Sequence, residues 1–176
     1  TLSEAERRYQ IQTRSVDELE AILKDGTVAL TIRGQDPMVD KNIAVHPHEA
    51  DFLSFTSAAR LIKDEYEISE LQRACDETIK GFSDVVRALP AAVSTPRGER
   101  VVEAAFFGRA RIAGNDVGYE TIAASGSHAC VLHWVQNDGE VRPGELILID
   151  AGIEMDSYYT ADITRTLPIS GKFSPA

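Results

Sequence analysis

The chain has 176 residues, of which 43% are hydrophobic and 26% are charged, and its net charge is -10. This composition suffices for one ordinary domain with a hydrophobic core. The negative charge argues against nucleic acid or an anionic membrane as a partner. The apolar runs are far shorter than the ~20 residues of a membrane span, and no stretch resembles a signal peptide. A cytoplasmic protein is therefore predicted.

The first part of the chain carries one helix signal and one strand signal. Ser15 followed by Glu18 has the spacing of a capping box, so a short helix is predicted over residues 16–24. Gly26 is expected to end that helix. Residues 28–32 are a strand candidate.

Residues 33–47 are polar and are predicted to be irregular, with Pro37 and Pro47 as breakers. His46 and His48 flank the second of these prolines. Two histidines this close together are conceivable metal ligands. The intervening proline and the polar context instead favour a solvated surface segment, which is the prediction here.

A long helix is predicted to begin after Asp64. This residue is a suitable N-cap, and Glu65 and Glu67 place negative charge in the first turn, where the helix dipole favours it. Pro90 is expected to end the helix. The apolar residues that recur at helical spacing are predicted to form its core-facing stripe: Ile68, Leu71, Cys75, Ile79, Phe82, Val86 and Leu89.

A second helix is predicted to follow directly. Thr95 is its expected cap, Pro96 lies in its first turn and Gly114 stops it. The residues predicted to form its buried face are Val101, Val102, Ala105, Phe106 and Ile112.

Two strand candidates, residues 119–124 and 131–135, are joined by a loop of small residues over 125–129. Small residues let a backbone approach a ligand closely, but an ordinary tight turn explains them equally well. His133 lies in the second strand candidate, where a histidine is more often a satisfied core residue than a catalytic one. His128 is expected to face solvent or the loop.

The most informative stretch is a predicted hairpin. The apolar run 146–149 ends in Asp150, and the run 158–167, rich in β-branched and aromatic residues, contains Asp162. A three-residue turn centred on Asp156 would place the other two aspartates directly opposite each other. Their Cβ atoms would then be about 5 Å apart.

Two carboxylates this close repel each other unless something cationic or a proton lies between them. An arginine, a shared proton and a metal ion are the candidates, and hard divalent cations prefer such oxygen ligands. A purely structural interpretation is also open, in which Asp150 caps a turn allowed by Gly152 and Asp162 pairs with Arg165.

Three ordered motifs resemble one known family. They are SGSHACVLHW at residues 125–134, LIDAG at 148–152 followed by ADITRT at 161–166, and LPISGKF at 167–173. Together they resemble the aminopeptidase P and prolidase family of metallopeptidases, which have the pita-bread fold. The match covers residues 60–176.

The resemblance implies an α+β fold and a domain organisation. Residues 60–176 have the order of the first, α-α-β-β, half of the pita-bread catalytic domain, and residues 1–59 would be the tail of an N-terminal domain with its linker. The family's second half, which supplies a histidine and two glutamates as further metal ligands, is not seen. The chain is thus expected to be a fragment that ends midway through the catalytic domain.

The resemblance also implies a mechanism. Two divalent metal ions, most often manganese with cobalt or zinc as alternatives, would be held in part by Asp150 and by a bridging Asp162, while His133 would contact the substrate. A metal-activated water then attacks the peptide carbonyl. Because three ligands and the general base are missing, the chain alone is predicted to bind metal weakly and to be inactive.

Within the family, the motifs look closest to Xaa-Pro aminopeptidases, which remove the N-terminal residue from peptides with proline in the second position. A prolidase, which cleaves Xaa-Pro dipeptides, and a non-catalytic pita-bread binding module are the alternatives. The implied partners are a proline-containing peptide, the missing half of the catalytic domain, present in some cases as a separate chain, and a second copy in a homo-oligomer.

Overall fold

The computed structural model of the chain describes residues 1–26 and 29–175. The chain divides into two compact units, Thr1–Ile62 and Lys63–Ala176. The first unit is helical in its described part, and the second combines two long helices with two small sheets. No helix in the described ranges is both long and apolar enough to cross a membrane.

The first unit contains four α-helices and one short 3-10 turn. The predicted helix over residues 16–24 is present, but it begins with the 3-10 turn Val16–Glu18. The Ser15 hydroxyl accepts from the backbone N–H of Asp17 rather than from that of Glu18, so the predicted capping box is wrong. The four helices are α1 (Leu2–Tyr9), α2 (Leu19–Lys24), α3 (Pro37–Asn42) and α4 (Glu49–Leu61).

The segment 33–47 is more regular than predicted. The Asp36 side chain accepts from the first two free N–H groups of α3, and Pro37 is the first helical residue, where a missing N–H costs nothing. Pro37 therefore starts a helix instead of breaking one. The strand candidate 28–32 begins at Val28, which lies outside the described residues, and residues 29–32 form no strand.

His46 and His48 make only local contacts among the described residues. The Nδ1 atom of His46 accepts from the backbone N–H of His48, and the exposed His48 ring lies 3.0 Å from Asp51 Oδ2. The exposure of His48 agrees with the surface position that the sequence predicts.

The second unit is built on an antiparallel pair of helices, α5 (Glu65–Val93) and α6 (Gly98–Ala113). The predicted start of α5 is confirmed, since Asp64 and Glu67 form a reciprocal capping box with bonds of 2.9 and 2.8 Å. Its predicted end is wrong. Pro90 lies inside the last turn, and the helix continues to Val93 before Ser94 closes it.

The buried face of α5 agrees only in part with the stripe that its large apolar residues predict, since Leu89 is buried and Cys75 and Phe82 pack against the core. Ile79 is 56% exposed, whereas the small residue Gly81 is buried. A Cβ atom at Gly81 would come within 2.6 Å of the Phe106 ring, so the small side chains let α6 approach closely. The buried residues of α5 are Glu70, Ala74, Thr78, Gly81, Val85, Leu89 and Ala92.

The start of α6 is held by tertiary contacts. The Thr95 hydroxyl donates to the Ala91 carbonyl, so Thr95 ends α5 and does not cap α6 as predicted. The backbone N–H of Glu99 instead donates to the carbonyl of Gly139. The predicted stop at Gly114 is confirmed. Ile112, predicted to be buried, is 80% exposed.

Two antiparallel sheets pack on these helices. The three-stranded sheet has the order β2-β3-β5 and the two-stranded sheet pairs β1 with β4. The strand predicted over residues 131–135 is wrong, because a 3-10 turn, Gly126–Cys130, is followed by irregular chain. The strands are β1 (Asp116–Val117), β2 (Ile122–Ser125), β3 (Leu146–Ala151), β4 (Ile153–Glu154) and β5 (Ile163–Pro168).

Candidate metal and substrate site

The hairpin that carries both aspartates is present, but its register differs from the predicted one. Asp150 pairs with Thr164, not with Asp162, and the bridge between Glu154 and Thr160 follows the same register. The turn is therefore centred on Ser157, one residue later than predicted. Because the pairing shifts by two residues, Asp162 stays on the same face of the sheet as Asp150.

A left-handed residue sets this register. Tyr158 has φ 67°, and its N–H donates to the Met155 carbonyl, while the N–H of Met155 donates to the carbonyl of Tyr159. This is a three-residue loop closed by a residue in the left-handed region, a common hairpin connection. Tyrosine rarely adopts this conformation, which explains why the sequence pattern points to the wrong turn centre.

The side chains of the two aspartates converge on one hydroxyl group. Tyr119 Oη lies 2.5 Å from Asp150 Oδ1 and 3.0 Å from Asp162 Oδ1. The other oxygen of Asp150 accepts from the Thr164 hydroxyl at 2.7 Å. Arg165 donates to the carbonyl of Thr164, and the described contacts include no ion pair between Arg165 and Asp162.

The two-stranded sheet places Tyr119. Strand β1 pairs with β4, and the N–H of Gly118 then donates to the Gly152 carbonyl at 2.8 Å. The residue that follows, Tyr119, is thereby held against the hairpin. A Cβ atom at Gly152 would come 3.2 Å from the Tyr119 ring. The site thus depends on contact between two segments more than thirty residues apart.

The chemistry of this arrangement suits a cation. A phenol has a single hydrogen to donate, yet two carboxylates point their oxygens at the Tyr119 hydroxyl. Within residues 1–26 and 29–175, the hydrogen bonds of these carboxylates are all with hydroxyl groups. Converging carboxylate oxygens with a shortage of positive charge are what a hard divalent ion requires. The residues therefore fit a divalent metal ion, although they form an incomplete ligand set.

The two carboxylates also act on Tyr119 itself. Burial and the hydrogen bonds to Asp150 and Asp162 raise the pKa of the Tyr119 phenol well above its ordinary value of 10.0, because each disfavours a phenolate. Tyr119 is thus a neutral phenol at physiological pH, and the two carboxylates share its single hydrogen.

We expect an absorbance titration at 295 nm, without added metal, to reveal this shift. The difference between the curves of the unmodified chain and a Tyr119→Phe variant isolates the Tyr119 ionisation, and its midpoint should lie above pH 10. Because the pKa of Tyr119 is higher in the folded than in the unfolded chain, the neutral hydroxyl contributes fully to the stability of the fold below pH 10. This contribution is lost as the pH rises through the folded-state pKa. A midpoint at or below pH 10 would contradict the hydrogen-bonded geometry.

The aspartates open into a cleft of about 510 Å³ that also contains His133. Its remaining lining residues are Tyr119, Glu120, Ile122 and Val135, so the cleft carries three carboxylates. His133 is exposed, which excludes the buried core role considered for it, and its φ of 58° is uncommon for a residue other than glycine. Such an unfavourable backbone is often found at functional sites.

His128, expected to face solvent or the loop, is only partly exposed and lies against Glu99 and Trp134. Its Nδ1 atom lies 2.9 Å from Glu99 Oε1, and its ring stacks on Trp134 with the centroids 3.9 Å apart. Sequence reasoning also missed Tyr119, Thr164 and Glu99. Strand parity with Asp162 could have identified Thr164. No sequence signal shows the pairing of β1 with β4 that brings in Tyr119.

Asp150 and Asp162 are not joined by a third ligand within the described part of the chain. No group of three or more His, Cys, Asp or Glu side chains that could hold a metal ion occurs there. The two carboxylates, which accept hydrogen bonds from Tyr119 and Thr164, therefore fit only part of the ligand set that a metal ion requires.

Comparison with known proteins identifies the family. Residues 69–176 match the model of metallopeptidase family M24. The chain belongs to this family. Xaa-Pro aminopeptidase 1 of Streptomyces coelicolor is 49% identical to this M24 chain over 178 residues, covering 99% of the chain and 36% of the relative. Xaa-Pro aminopeptidase 2 of the same organism is 46% identical, covering 99% of the chain and 37% of the relative.

Solved structures of M24 peptidases share the fold. Proline aminopeptidase P II from Yersinia pestis matches with a TM-score of 0.70 and 27% identity, covering 90% of this chain and 39% of that one. Zinc-substituted Escherichia coli aminopeptidase P in complex with product matches with a TM-score of 0.67, 27% identity and the same coverage. The predicted α+β fold, part of a pita-bread domain, is confirmed. The M24 chain spans little more than a third of the curated relatives it matches.

Proposed function

We propose that this chain is part of a metal-dependent aminopeptidase that removes the N-terminal residue from peptides with proline in the second position. The observation that carries the proposal is that the carboxylates of Asp150 and Asp162 both lie against the Tyr119 hydroxyl in the wall of a cleft. Membership of a metallopeptidase family and close similarity to two proteins named Xaa-Pro aminopeptidases support the substrate class.

The residues of the cleft take distinct roles in this proposal. Asp150 would hold one ion, Asp162 would be shared by both ions, and His133 would contact the peptide. Two bound divalent ions, manganese first and cobalt or zinc as alternatives, would supply a water that is acidic enough to act at neutral pH. Tyr119 and Thr164 orient the carboxylates through hydrogen bonds, as residues behind metal ligands commonly do.

The cleft has a second compartment that suits an apolar part of the peptide. A hollow of about 240 Å³ shares Ile122, His133 and Asp150 with the cleft. Its other lining residues are Ala124, Ala129, Cys130, Val131, Leu132, Leu148 and Thr164. A proline ring or an aliphatic side chain could lie there with its peptide bond near the aspartates.

We further propose that the 176-residue chain alone does not turn over peptide. Glu120 also lines the cleft, but no three His, Cys, Asp or Glu side chains among the described residues form a group that could hold a metal ion. Activity would then need the rest of the M24 domain, in one chain or as a separate polypeptide. A cytoplasmic location and a homo-oligomeric state remain predictions from the sequence.

The test uses a chimera in which this chain replaces the aligned segment of the Streptomyces coelicolor relative. With manganese, the chimera should release the N-terminal residue from an Xaa-Pro-Xaa tripeptide, and the 176-residue chain should not. Intact mass spectrometry verifies that the inactive sample is a lone 19.3 kDa species. Cleavage restricted to the Xaa-Pro dipeptide would indicate a prolidase. A folded chimera that cleaves neither peptide would support a binding module.

A further inference from the structure

A buried carboxylate lies outside the proposed metal site. Glu99, in the first turn of α6, is 0% exposed and belongs to the largest fully buried side chains among the described residues. Burying a carboxylate is costly unless its oxygens are fully hydrogen-bonded. Neither Lys nor Arg takes part in its described contacts, so this charge is held by other groups.

Four groups surround the Glu99 carboxylate. The backbone N–H of Ser125 and the ring Nδ1 of His128 lie 2.8 and 2.9 Å from Oε1. The indole Nε1–H of Trp134 and the N–H of Gly139 donate to Oε2 at 2.9 and 2.8 Å. Each oxygen thus has two partners, and a carboxylate, which only accepts, matches the three N–H donors.

All four partners belong to one segment, and that segment carries His133. It runs from the end of β2 at Ser125 to Gly139 and contains only the 3-10 turn Gly126–Cys130 as regular structure. No strand ladder holds it. Asn137 anchors it at β2 by two hydrogen bonds, accepting from the N–H of Ala123 and donating to the carbonyl of Thr121. Two side chains of α6 also hold it: Arg100 donates to the Gln136 carbonyl at 3.4 Å, and the Glu99 carboxylate contacts the four groups named above.

We propose that Glu99 is a positioning residue that holds His133 over Asp150 and Asp162. The hydrogen bond to Trp134 acts on the residue adjacent to His133, whose left-handed backbone (φ 58°) needs such support. The stacking of His128 on Trp134 completes the attachment. This inference rests on the proposed function, since it assigns His133 to a substrate that is bound at the aspartates.

Glu99→Gln is the selective perturbation. Glutamine has the size of glutamate, but its NH₂ group would face an N–H donor in either orientation of the amide, so at least one hydrogen bond becomes a repulsive contact. Glu103→Gln, one turn further along α6, is the matched control. It makes the same chemical change at a partly exposed side chain that has no hydrogen bond or ion pair among the described contacts.

The experiment follows the four histidines by NMR in the 176-residue chain while manganese is added below stoichiometry. Bound manganese broadens nearby resonances, so the His133 ring signals should broaden strongly in the unmodified chain. In Glu99→Gln we expect manganese affinity to be retained and most of the His133 broadening to be lost. Trp134, the only tryptophan, should report the released segment by a red shift of its fluorescence. Glu103→Gln should change neither signal.

The outcomes separate the two proposals. Unchanged His133 broadening in a folded Glu99→Gln variant that binds manganese would overturn the positioning role alone. If manganese broadens no histidine signal of the unmodified chain, this inference is overturned, whereas the proposed function is decided separately by peptide hydrolysis in the chimera. If Glu99→Gln does not fold, Trp134→Phe decides, because it removes one donor and keeps an aromatic ring beside His128. In Trp134→Phe, part of the manganese broadening of His133 should be lost. If the His133 signals broaden as fully as in the unmodified chain, the positioning role of Glu99 is overturned.

Discussion

Replacing Gly152 by alanine is expected to destabilise the second unit by about 3 kcal/mol or more, which is at the upper end for overpacking. A Cβ atom at this position would lie 1.5 Å from the Ala161 carbonyl oxygen. That oxygen belongs to the backbone of the facing strand and cannot rotate away. Relief of the clash requires the hairpin to separate between Asp150 and Asp162, so the substitution should also disperse the proposed metal ligands.

Urea unfolding monitored by Trp134 fluorescence measures this loss, and Gly108→Ala is the control. Gly108 lies in α6, has no atom within 4 Å of its virtual Cβ, and does not adopt a positive φ. Alanine there should stabilise the helix by up to about 1 kcal/mol. Equal unfolding midpoints for Gly152→Ala and the unmodified chain would show that the hairpin strands are further apart than described.

Asp162→Asn is expected to have the largest effect on metal binding. It removes one of the two carboxylates and with it a full negative charge at the point of convergence. Manganese affinity of the 176-residue chain should fall about tenfold or more, and the active chimera should lose hydrolysis. When EDTA removes the metal, Asp162→Asn is not expected to destabilise the fold. The free energy of unfolding should stay the same or rise, because the amide still accepts from Tyr119 and no longer repels Asp150.

Asp156→Asn controls for net charge in this measurement. Asp156 is exposed in the turn of the same hairpin, so its substitution makes the same change in charge away from the cleft. It should leave manganese binding, measured by electron paramagnetic resonance of the free ion, within error of the unmodified chain. Equal losses in both variants would mean that manganese responds to the acidity of the chain and not to the site.

Local signals in the sequence predict some helix ends and miss others. The N-cap at Asp64 and the stop at Gly114 are present as predicted, whereas the capping box at Ser15 and the cap at Thr95 are not. The buried face predicted for α5 is wrong in part. Apolar periodicity shows where the large side chains lie, but it does not show which face of the helix is narrow enough for another helix to approach closely. In α5 the large apolar residues and the small residues each recur at helical spacing, and the face of small residues, which includes Gly81, packs on Phe106.

The candidate site was predictable in its residues more than in its geometry. The family motifs single out Asp150, Asp162 and His133, and the structure brings all three to one cleft. The strand predicted around His133 does not exist, since the segment is held by side chains far away in sequence. Contacts such as that between Trp134 and Glu99 leave no periodic pattern, so reasoning from a single sequence does not find them.

The links between the hairpin and α5 bear on the order in which the second unit folds. Ile153 donates to the Thr78 hydroxyl, Ser157 donates to Glu70, and Tyr159 donates to Glu67, over sequence separations of 75, 87 and 92 residues. The helical pair and the hairpin each close over short loops, whereas these links close long ones, which is entropically slower. The hairpin should therefore dock on α5 late, and Asp162 would then reach its place beside Asp150 and Tyr119 among the last parts of the molecule to settle.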